Sequence, residues 1–147
     1  MNRLEEPSHN EQTSSQSRTI LLIEDDPDTA EMLLLVFRFE TSYHVARFES
    51  GEDLLHRLET VKARPPALLI LDYLLPGMTG LELYEQLTRQ EEVVPIPTLL
   101  ITATHLSDSL IERSGYPITL LHKPFHLDEF LRSVHTMIRP CLLPSGT

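Results

Sequence analysis

Four short apolar stretches of this chain end in side chains that can do chemistry. An acidic run at 24–26 follows the first of these stretches, and Asp72 ends the second, which is the third of the five strands predicted below. Thr102 and Lys123 end the two stretches nearest the C-terminus. In a parallel sheet the carboxyl ends of the strands share one edge, where ligands usually bind. Each residue alone has a plainer interpretation, as a helix cap, a β-former or a surface charge. Together, the four strand ends favour a single site.

The acids in this set predict a divalent cation. Two like charges about 4 Å apart repel by about 4 kcal/mol at an effective dielectric constant near 20. Glu24, Asp25 and Asp72 could not lie together comfortably with only Lys123 opposite them. Oxygen ligands with open water positions suit Mg²⁺, which typically binds one or two carboxylates and a substrate phosphate. A metal, a carboxylate nucleophile, a hydroxyl and an amine are what phosphoryl transfer to Asp72 requires.

The elements that must position these residues follow from the hydrophobic pattern. Apolar runs this short, bounded by proline, glycine or acids, are typical of strands buried on both faces. Helical periodicity separates the runs, so five strands alternate with five helices. This order predicts an α/β fold with a mainly parallel sheet and right-handed crossovers. The predicted strands are 19–23, 43–48, 67–72, 98–102 and 118–121.

Helix boundaries are marked by capping residues. Asp26 followed by Pro27 predicts an N-cap and first helical position. Capping-box patterns at 50–53 and 79–82 open two further helices, the first of which should continue until just before Pro65. The chain also predicts a short fourth helix over 107–113 and a last helix that ends at Pro140. His126 stands where serine or aspartate would cap the last helix better.

The first helix is apolar beyond one stripe. Met32, Leu35, Val36 and Phe39 lie outside the face formed by its other apolar residues. They are either buried on several sides or form a contact surface. We expect burial, because a sheet and a neighbouring helix would cover most of this helix.

Length and composition set the remaining bounds. The 147 residues suit one domain, with a disordered polar leader at 1–18, a folded domain at 19–138 and a short tail at 139–147. The net charge of −10 and the lack of clustered Lys and Arg argue against a nucleic-acid surface. No apolar run approaches the ~20 residues of a membrane span, and no secretory signal is visible. With Cys141 as the one cysteine, we expect a cytoplasmic protein.

Four motifs together resemble the response-regulator receiver domain. They are Ile-Glu-Asp-Asp-Pro at 23–27, Leu-Asp-Tyr-Leu-Leu-Pro-Gly-Met-Thr-Gly at 71–80, Ile-Thr-Ala at 101–103 and Lys-Pro-Phe at 123–125. The resemblance covers about residues 19–138 and implies a flavodoxin-like, doubly wound five-stranded sheet. It also implies the strand order 2-1-3-4-5, with helices on both faces.

The resemblance implies roles for the residues at the strand ends. Asp72 would accept a phosphoryl group from the phosphohistidine of a histidine kinase or phosphotransfer protein. Asp25, Asp72 and the backbone carbonyl of Leu74 would bind Mg²⁺, and Glu24 would act mostly through water. Thr102 and Lys123 would contact the phosphoryl group. The family further implies a cis Lys123–Pro124 bond. Catalysis would extend at most to the chain's own phosphorylation and dephosphorylation.

One departure from the family concerns signal output. Three positions before the lysine the family usually has Tyr or Phe, whereas this chain has Leu120, and Tyr116 is out of register. Because no output domain is expected after 138, output would occur through association with an unidentified protein or through onward phosphotransfer. The alternative suggested by Leu120 is a receiver-like binding module that works without phosphorylation. A phosphohydrolase of the haloacid-dehalogenase type is disfavoured, because Leu74 stands where such enzymes have a second Asp.

Overall fold

The computed structural model describes residues 19–90, 93, 95–104, 111–112 and 114–138. Its main element is a five-stranded sheet in which all four strand pairs are parallel. Its strands are β1 (Thr19–Ile23), β2 (His44–Phe48), β3 (Leu68–Asp72), β6 (Thr98–Thr102) and β7 (Ile118–His122), while β4 and β5 form a separate hairpin described below. The strand order is β2-β1-β3-β6-β7, which is the predicted 2-1-3-4-5 when the five strands of this sheet alone are counted.

Helices cover both faces of this sheet, so the doubly wound architecture is confirmed. One face packs under α2, α3 and α4, through Leu54, Val61 and Leu83 among others. The opposite face packs under α1 and α5, where Phe37 and Phe130 meet edge to face with ring centroids 5.6 Å apart. The helices described here are α1 (Pro27–Glu40), α2 (Gly51–Leu55), α3 (Leu58–Ala63), α4 (Gly80–Thr88) and α5 (Leu127–Ile138).

The strand β3 lies at the centre of the sheet, between β1 and β6. Its residues Leu68 to Leu71 are almost completely buried, as expected for a parallel strand covered on both faces. Asp72 is the last residue of the strand and is only partly buried. The hydrophobic run therefore carries one carboxylate to the edge of the sheet.

Two of the predicted helix starts are confirmed in detail. The side chain of Asp26 caps α1 by accepting a hydrogen bond from the backbone N–H of Thr29, and Pro27 is the first helical residue. Thr79 and Glu82 form a complete capping box at α4, each side chain accepting from the other's backbone N–H. These caps fix where the chain turns from each acidic loop into the following helix.

The single helix predicted after residue 50 is wrong, because the chain forms two short helices there. At Arg57 the backbone leaves the helical region, with φ −116° and ψ 27°. Its N–H bonds to the carbonyl of Leu54 at 2.8 Å, three rather than four residues back. This tighter turn separates the two helices, and Leu54 and Val61 both remain in the core. The apolar spacing alone could not reveal the break.

A short hairpin after Asp72 was not predicted. The strands β4 (Leu74–Leu75) and β5 (Met78–Thr79) pair antiparallel across Pro76 and Gly77. Gly77 has φ +79°, a conformation that glycine adopts without strain. The hairpin leads directly into the Thr79 cap of α4.

The expected burial of the outer residues of α1 is wrong for three of the four, and only Val36 is partly buried. The buried side chains of this helix are Ala30, Leu33 and Phe37. Met32, Leu35 and Phe39 remain 41%, 45% and 75% exposed. The sheet and α5 cover one face of α1 and leave these three side chains uncovered within the described part of the chain. The other interpretation, a contact surface, is therefore the one that the structure favours.

Several predictions lie outside the described residues. They are the leader at 1–18, the tail at 139–147 with Cys141, and most of the fourth helix at 107–113. No helix in the described ranges is long and apolar enough to cross a membrane.

Gly80 provides a test of this packing. A Cβ atom at this position would lie 2.5 Å from the carbonyl oxygen of Asp72 and 2.8 Å from a methyl carbon of Leu100. We expect Gly80→Ala to lower the free energy of unfolding by about 1–3 kcal/mol, because β3 or α4 must move. Urea denaturation measures this, with Gln86→Ala on the same helix as the control, expected to stay within about 0.5 kcal/mol of wild type. Equal stability of the two variants would contradict the close approach.

Candidate functional site

The acidic loop after β1 is held by the neighbouring strand β2. The backbone N–H of Glu24 donates to the carbonyl of Phe48 at 3.1 Å. The guanidinium of Arg47 donates twice to the carbonyl of Glu24, from Nε at 3.1 Å and from Nη2 at 2.8 Å. The carboxylate of Glu24 accepts from the backbone N–H of Asp26 at 3.0 Å. These bonds fix Glu24 at both its backbone and its side chain.

Arg47 is a residue that the sequence analysis missed. It lies next to the end of the edge strand and pairs in register with Leu22, two residues before Glu24. A basic residue at the end of the strand beside an acidic loop would have been the signal, once the strand order 2-1 was assumed. Its side chain is 22% exposed and also lies 3.9 Å from Glu49. The guanidinium therefore adds positive charge beside the acidic loop.

Asp72 and Lys123 meet at the same edge of the sheet. The ammonium nitrogen of Lys123 lies 3.1 Å from Oδ1 of Asp72. The side chain of Lys123 is 34% exposed and that of Asp72 is 14% exposed, so the pair is partly shielded from water. The backbone N–H of Lys123 bonds to the carbonyl of Thr102 at 2.8 Å, which fixes the lysine beside the end of β6. The Lys123–Pro124 peptide bond is cis, as the resemblance implied.

Three carboxylates converge at this edge. One oxygen atom from each of Glu24, Asp25 and Asp72 lies within 4.8 Å of the others. Glu24 is buried, Asp72 is half-buried and Asp25 is exposed, so the cluster opens to solvent on one side. Mg²⁺ takes oxygen ligands at about 2.0–2.1 Å and is typically bound by one or two carboxylates. This donor set fits a hard divalent metal ion.

Burial makes the two less exposed acids costly to ionise. It raises the pKa of Glu24 above its usual value, and the charges of Asp72 and Asp25 add to the rise, while the Asp26 N–H and Lys123 oppose it. Burial likewise raises the pKa of Asp72, although the hydrogen bond and charge of Lys123 lower it. Desolvation is the larger effect for both groups. A bound cation would relieve this cost, because it favours the ionised carboxylates.

Asp26 is separate from the cluster. Its exposed carboxylate accepts from the N–H and the hydroxyl of Thr29, at 2.9 and 2.6 Å. These two bonds lower the pKa of Asp26, with the hydroxyl of Thr29 as the larger cause. The third acid of the loop is thus the helix cap, and two acids are left for the site.

The hydroxyl of Thr102 has other partners in this structure. Thr102 is buried at the end of β6, and its Oγ1 lies 3.1 Å from the carbonyl oxygen of Thr104 and 2.8 Å from Oγ1 of the same residue. It also accepts from the backbone N–H of Thr104 at 2.9 Å. The hydroxyl is at the predicted strand end, but it is bonded to the following loop.

Two more positions singled out in the sequence lie within three residues of Asp72 or Lys123. Leu74 is in the short strand β4, two residues after Asp72, and its side chain is 60% exposed. Leu120 is partly buried in β7 and packs against the core on the α4 side of the sheet. Tyr116 packs in the same cluster, with its ring centroid 4.9 Å from that of Tyr84. An aromatic pair therefore packs on this side at 84 and 116, whereas position 120 itself is Leu.

Comparisons with known proteins agree with this fold and site. The family model described as the response regulator receiver domain matches residues 20–135. The chain is 30% identical over 123 residues to the response regulator receiver protein CpdR of Brucella abortus, covering 82% of this chain and 97% of that protein. It is 29% identical over 125 residues to the phosphate regulon regulator PhoB of Pseudomonas aeruginosa. That match covers 83% of this chain and 52% of PhoB, so the chain spans about half of that relative's length.

Solved structures agree as well. A structure from Chloroflexus aurantiacus, described as a response regulator, is 32% identical with a TM-score of 0.68 and covers 84% of this chain and 99% of that one. The chemotaxis protein CheY4 of Vibrio cholerae also has a TM-score of 0.68, with coverage of 82% and 98%. At 20% identity, CheY4 supports the fold alone. With the matched family model and the strand order 2-1-3-4-5, these findings place the chain in the response regulator receiver domain family.

Proposed function

We propose that Asp72 of this receiver domain is the phosphoacceptor, taking a phosphoryl group from the phosphohistidine of a histidine kinase or phosphotransfer protein. The observation that carries the proposal is the contact between Asp72 and Lys123, 3.1 Å apart, beside two further acids at the carboxyl edge of the sheet. If Lys123 and Asp72 formed only a structural salt bridge, the two further acids beside them would not be needed. A phosphoryl-transfer site uses both features, one for a metal ion and one for the transferred group.

In this mechanism a carboxylate oxygen of Asp72 attacks phosphorus. A P–O bond forms as the P–N bond to the donor histidine breaks, and the electron pair of that bond returns to the imidazole. Lys123 would shift from Asp72 Oδ1 to an oxygen of the transferred group, which needs little movement because the atoms are adjacent. Half-burial of Asp72 limits access of water to the product.

Asp25, Asp72 and the backbone carbonyl of Leu74 would hold Mg²⁺, and Glu24 would act mostly through water. The fit of the donor set supports this assignment, since three carboxylate oxygens already lie within 4.8 Å. The metal would supply positive charge to the oxygens of the phosphoryl group. Glu24 is already bonded to the Asp26 N–H, which favours an indirect role.

Thr102 would donate its hydroxyl proton to an oxygen of the phosphoryl group. A hydroxyl has one proton to donate, so this bond competes with the present contacts to Thr104. Thr104 thereby sets part of the free energy required to reorganise the site.

Output would occur by association with another protein or by onward phosphotransfer, in the cytoplasm, where a lone cysteine is compatible with a reducing environment. Activity on other substrates and direct nucleic-acid binding are not part of this proposal.

A second candidate is a receiver-like binding module that does not need phosphorylation. It is favoured by Leu120, which packs in the core at the position of the family's usual aromatic side chain. The two candidates differ in the response of β7 to modification of Asp72. Backbone amide NMR with and without phosphodonor distinguishes them, since the module predicts shifts confined to the site and the switch predicts further shifts around Leu120 and Tyr116.

Phosphorylation itself gives the first test. With Mg²⁺ and acetyl phosphate, we expect the wild-type chain to gain one phosphoryl group, detected by intact-mass spectrometry. Asp72→Asn should gain none, and Lys123→Ala should react about 100-fold more slowly, as when one stabilising group is lost from a transition state. Asp28→Asn, which changes an exposed acid in the first turn of α1, is the matched control and should react normally. Undiminished labelling of Asp72→Asn would sink the proposal.

A test of the Thr104 contact uses two variants. We expect Thr104→Val to be labelled by acetyl phosphate about fivefold faster than wild type, because the loss of one hydroxyl partner is worth roughly 1 kcal/mol. Thr104→Ser retains the hydroxyl and should react at the wild-type rate. Reactions quenched at successive times and analysed by intact-mass spectrometry give the labelling rates of both variants. The competition is ruled out if the valine variant reacts no faster than the serine variant.

Stability against pH tests the cost of ionising Asp72. Because burial raises its folded-state pKa above the ordinary 3.8, the folded chain binds this proton more tightly than the unfolded chain. The contribution of the group to stability is present below pH 3.8 and is lost as the pH rises through the raised pKa. We therefore expect Asp72→Asn to unfold at a higher temperature than wild type at pH 7, with the difference shrinking towards pH 4.

Thermal unfolding followed by circular dichroism measures this difference. Added Mg²⁺ should raise the unfolding temperature of wild type more than that of Asp72→Asn, because a ligand stabilises only the state that binds it. Asp28→Asn again serves as the control and should respond to Mg²⁺ as wild type does. A lower unfolding temperature for Asp72→Asn at pH 7 would mean that the salt bridge with Lys123 outweighs the desolvation of the carboxylate.

A further inference from the structure

The exposed face of α1 carries a continuous apolar strip. We call Met32, Leu35 and Phe39 the α1 seam, since their spacing of three and four residues places them on one side of the helix. Phe39 is three-quarters exposed, and the other two are more than two-fifths exposed. The same spacing is that of the a and d positions of a heptad, which pair with another helix. Scattered single apolar residues need no explanation, but an aligned set of three does.

A groove runs beside the α1 seam, between α1 and α5. Its volume is about 370 Å³, room for more than one side chain. Leu127, at the start of α5, is 41% exposed on its far wall. The seam and the groove therefore share Leu35 and Phe39 and form one surface, which is apolar except for Glu40 and Asp128. The lining residues are Leu35, Val36, Phe39, Glu40, Leu127, Asp128 and Leu131.

The charges flanking the α1 seam are of opposite sign. Glu31 and Arg38 are both exposed, and within the described residues neither forms a salt bridge. They are seven residues apart, about 10 Å along the helix, which is too far for them to pair with each other. In an antiparallel pairing of two copies of α1 centred on Leu35, Glu31 of each copy would lie beside Arg38 of the other. The two-fold axis makes this contact twice.

We propose that the α1 seam is a homodimer interface, in which α1 packs antiparallel against α1 of a second copy of this chain. Two copies of the helix complement each other in this arrangement. The apolar side chains of the seam face one another, and Glu31 and Arg38 lie four residues before and three residues after Leu35. Met32 of the second copy would lie beside Phe39, next to the groove. The contact needs neither Asp72 nor a phosphoryl group, so it goes beyond the proposed function.

This dimer is weak and depends on concentration. The exposed side chains of the seam and groove form a small patch, and interfaces burying less than about 1,200 Å² in total are usually transient. The chain's net charge of −10 further opposes association of two copies. The two Glu31–Arg38 contacts counter this repulsion locally and set the antiparallel orientation.

Sedimentation velocity of the full chain tests the proposal across concentrations up to about 1 mM, where even a millimolar Kd gives measurable dimer. Wild type should show a monomer–dimer equilibrium. Phe39→Ser should raise Kd at least about tenfold, because the most exposed side chain of the seam loses its burial in the dimer. Circular dichroism checks that this exposed substitution leaves the fold intact.

Charge reversal provides the sharper test. Glu31→Arg and Arg38→Glu should each raise Kd by about threefold or more, since each creates two like-charge contacts across the dimer. The double variant should return to the wild-type Kd, because both contacts are restored with reversed polarity. Glu112→Arg, an exposed residue away from α1, makes the same change in net charge as Glu31→Arg and is the matched control. Both substitutions make the chain less negative, so general electrostatics predicts slightly stronger association for both. Weaker association of the Glu31→Arg variant, but not of the Glu112→Arg variant, would therefore be specific to the seam.

Three results would overturn the inference. One is a wild-type chain that stays monomeric at every concentration. Another is a dimer that Phe39→Ser does not weaken. The third is a double charge reversal that fails to restore association, which would mean that the two copies are not related by the antiparallel arrangement. If the chain is monomeric but Phe39→Ser slows phosphotransfer from a kinase, the surface serves a different protein partner.

Discussion

The main physical constraint on this structure is that three carboxylates lie within 4.8 Å of one another at the edge of a buried sheet. Like charges at that distance repel, and partial burial removes the water that would otherwise screen them. One ammonium group, 3.1 Å from Asp72, offsets only part of this. The free energy of the site is therefore lowered by anything that brings positive charge, and the geometry suits both a small metal ion and a transferred group held by Lys123.

The rest of the domain provides the rigidity that this arrangement requires. The strand β3 is buried on both faces, so Asp72 cannot retreat from the edge without disturbing the core. The loop that carries Glu24 and Asp25 is fixed from β2 by Arg47 and Phe48, and Asp26 begins α1. Gly80 allows α4 to approach the backbone of Asp72 closely. Packing energy gained far from the site thus holds groups that would otherwise separate.

The two sides of the sheet differ in ways that bear on signalling. On the α4 side, Leu120 and the Tyr84–Tyr116 pair pack in one cluster, so an aromatic pair is present there although the family's usual aromatic position is occupied by leucine. On the α1 side, an apolar strip remains uncovered among the described residues. On the first side, Lys123 follows β7 and contacts Asp72, and on the second side the acidic loop leads directly into α1.

Much of the fold, and the set of residues that meet at the edge of the sheet, could be predicted from the sequence, because the signals are local. Apolar runs specify strands, Asp26 and Thr79 specify helix starts, and the residue that ends each strand follows directly. Parallel pairing then brings those ends together. The strand order came from the family resemblance, and the family model and the observed sheet agree with it.

The tertiary structure decided what depends on distant contacts. The bonds from Arg47 to Glu24 join residues 23 positions apart, and no local pattern predicts them. The partner of the Thr102 hydroxyl was decided by the path of the following loop, and the helix break at Arg57 lies in a single turn that the apolar spacing does not mark. The exposure of Met32, Leu35 and Phe39 depends on where α5 crosses α1. The sequence by itself determined which residues reach the edge of the sheet, because strand ends are local. Only the packing of helices against that sheet decided which side chains are covered, because burial depends on neighbours from elsewhere in the chain.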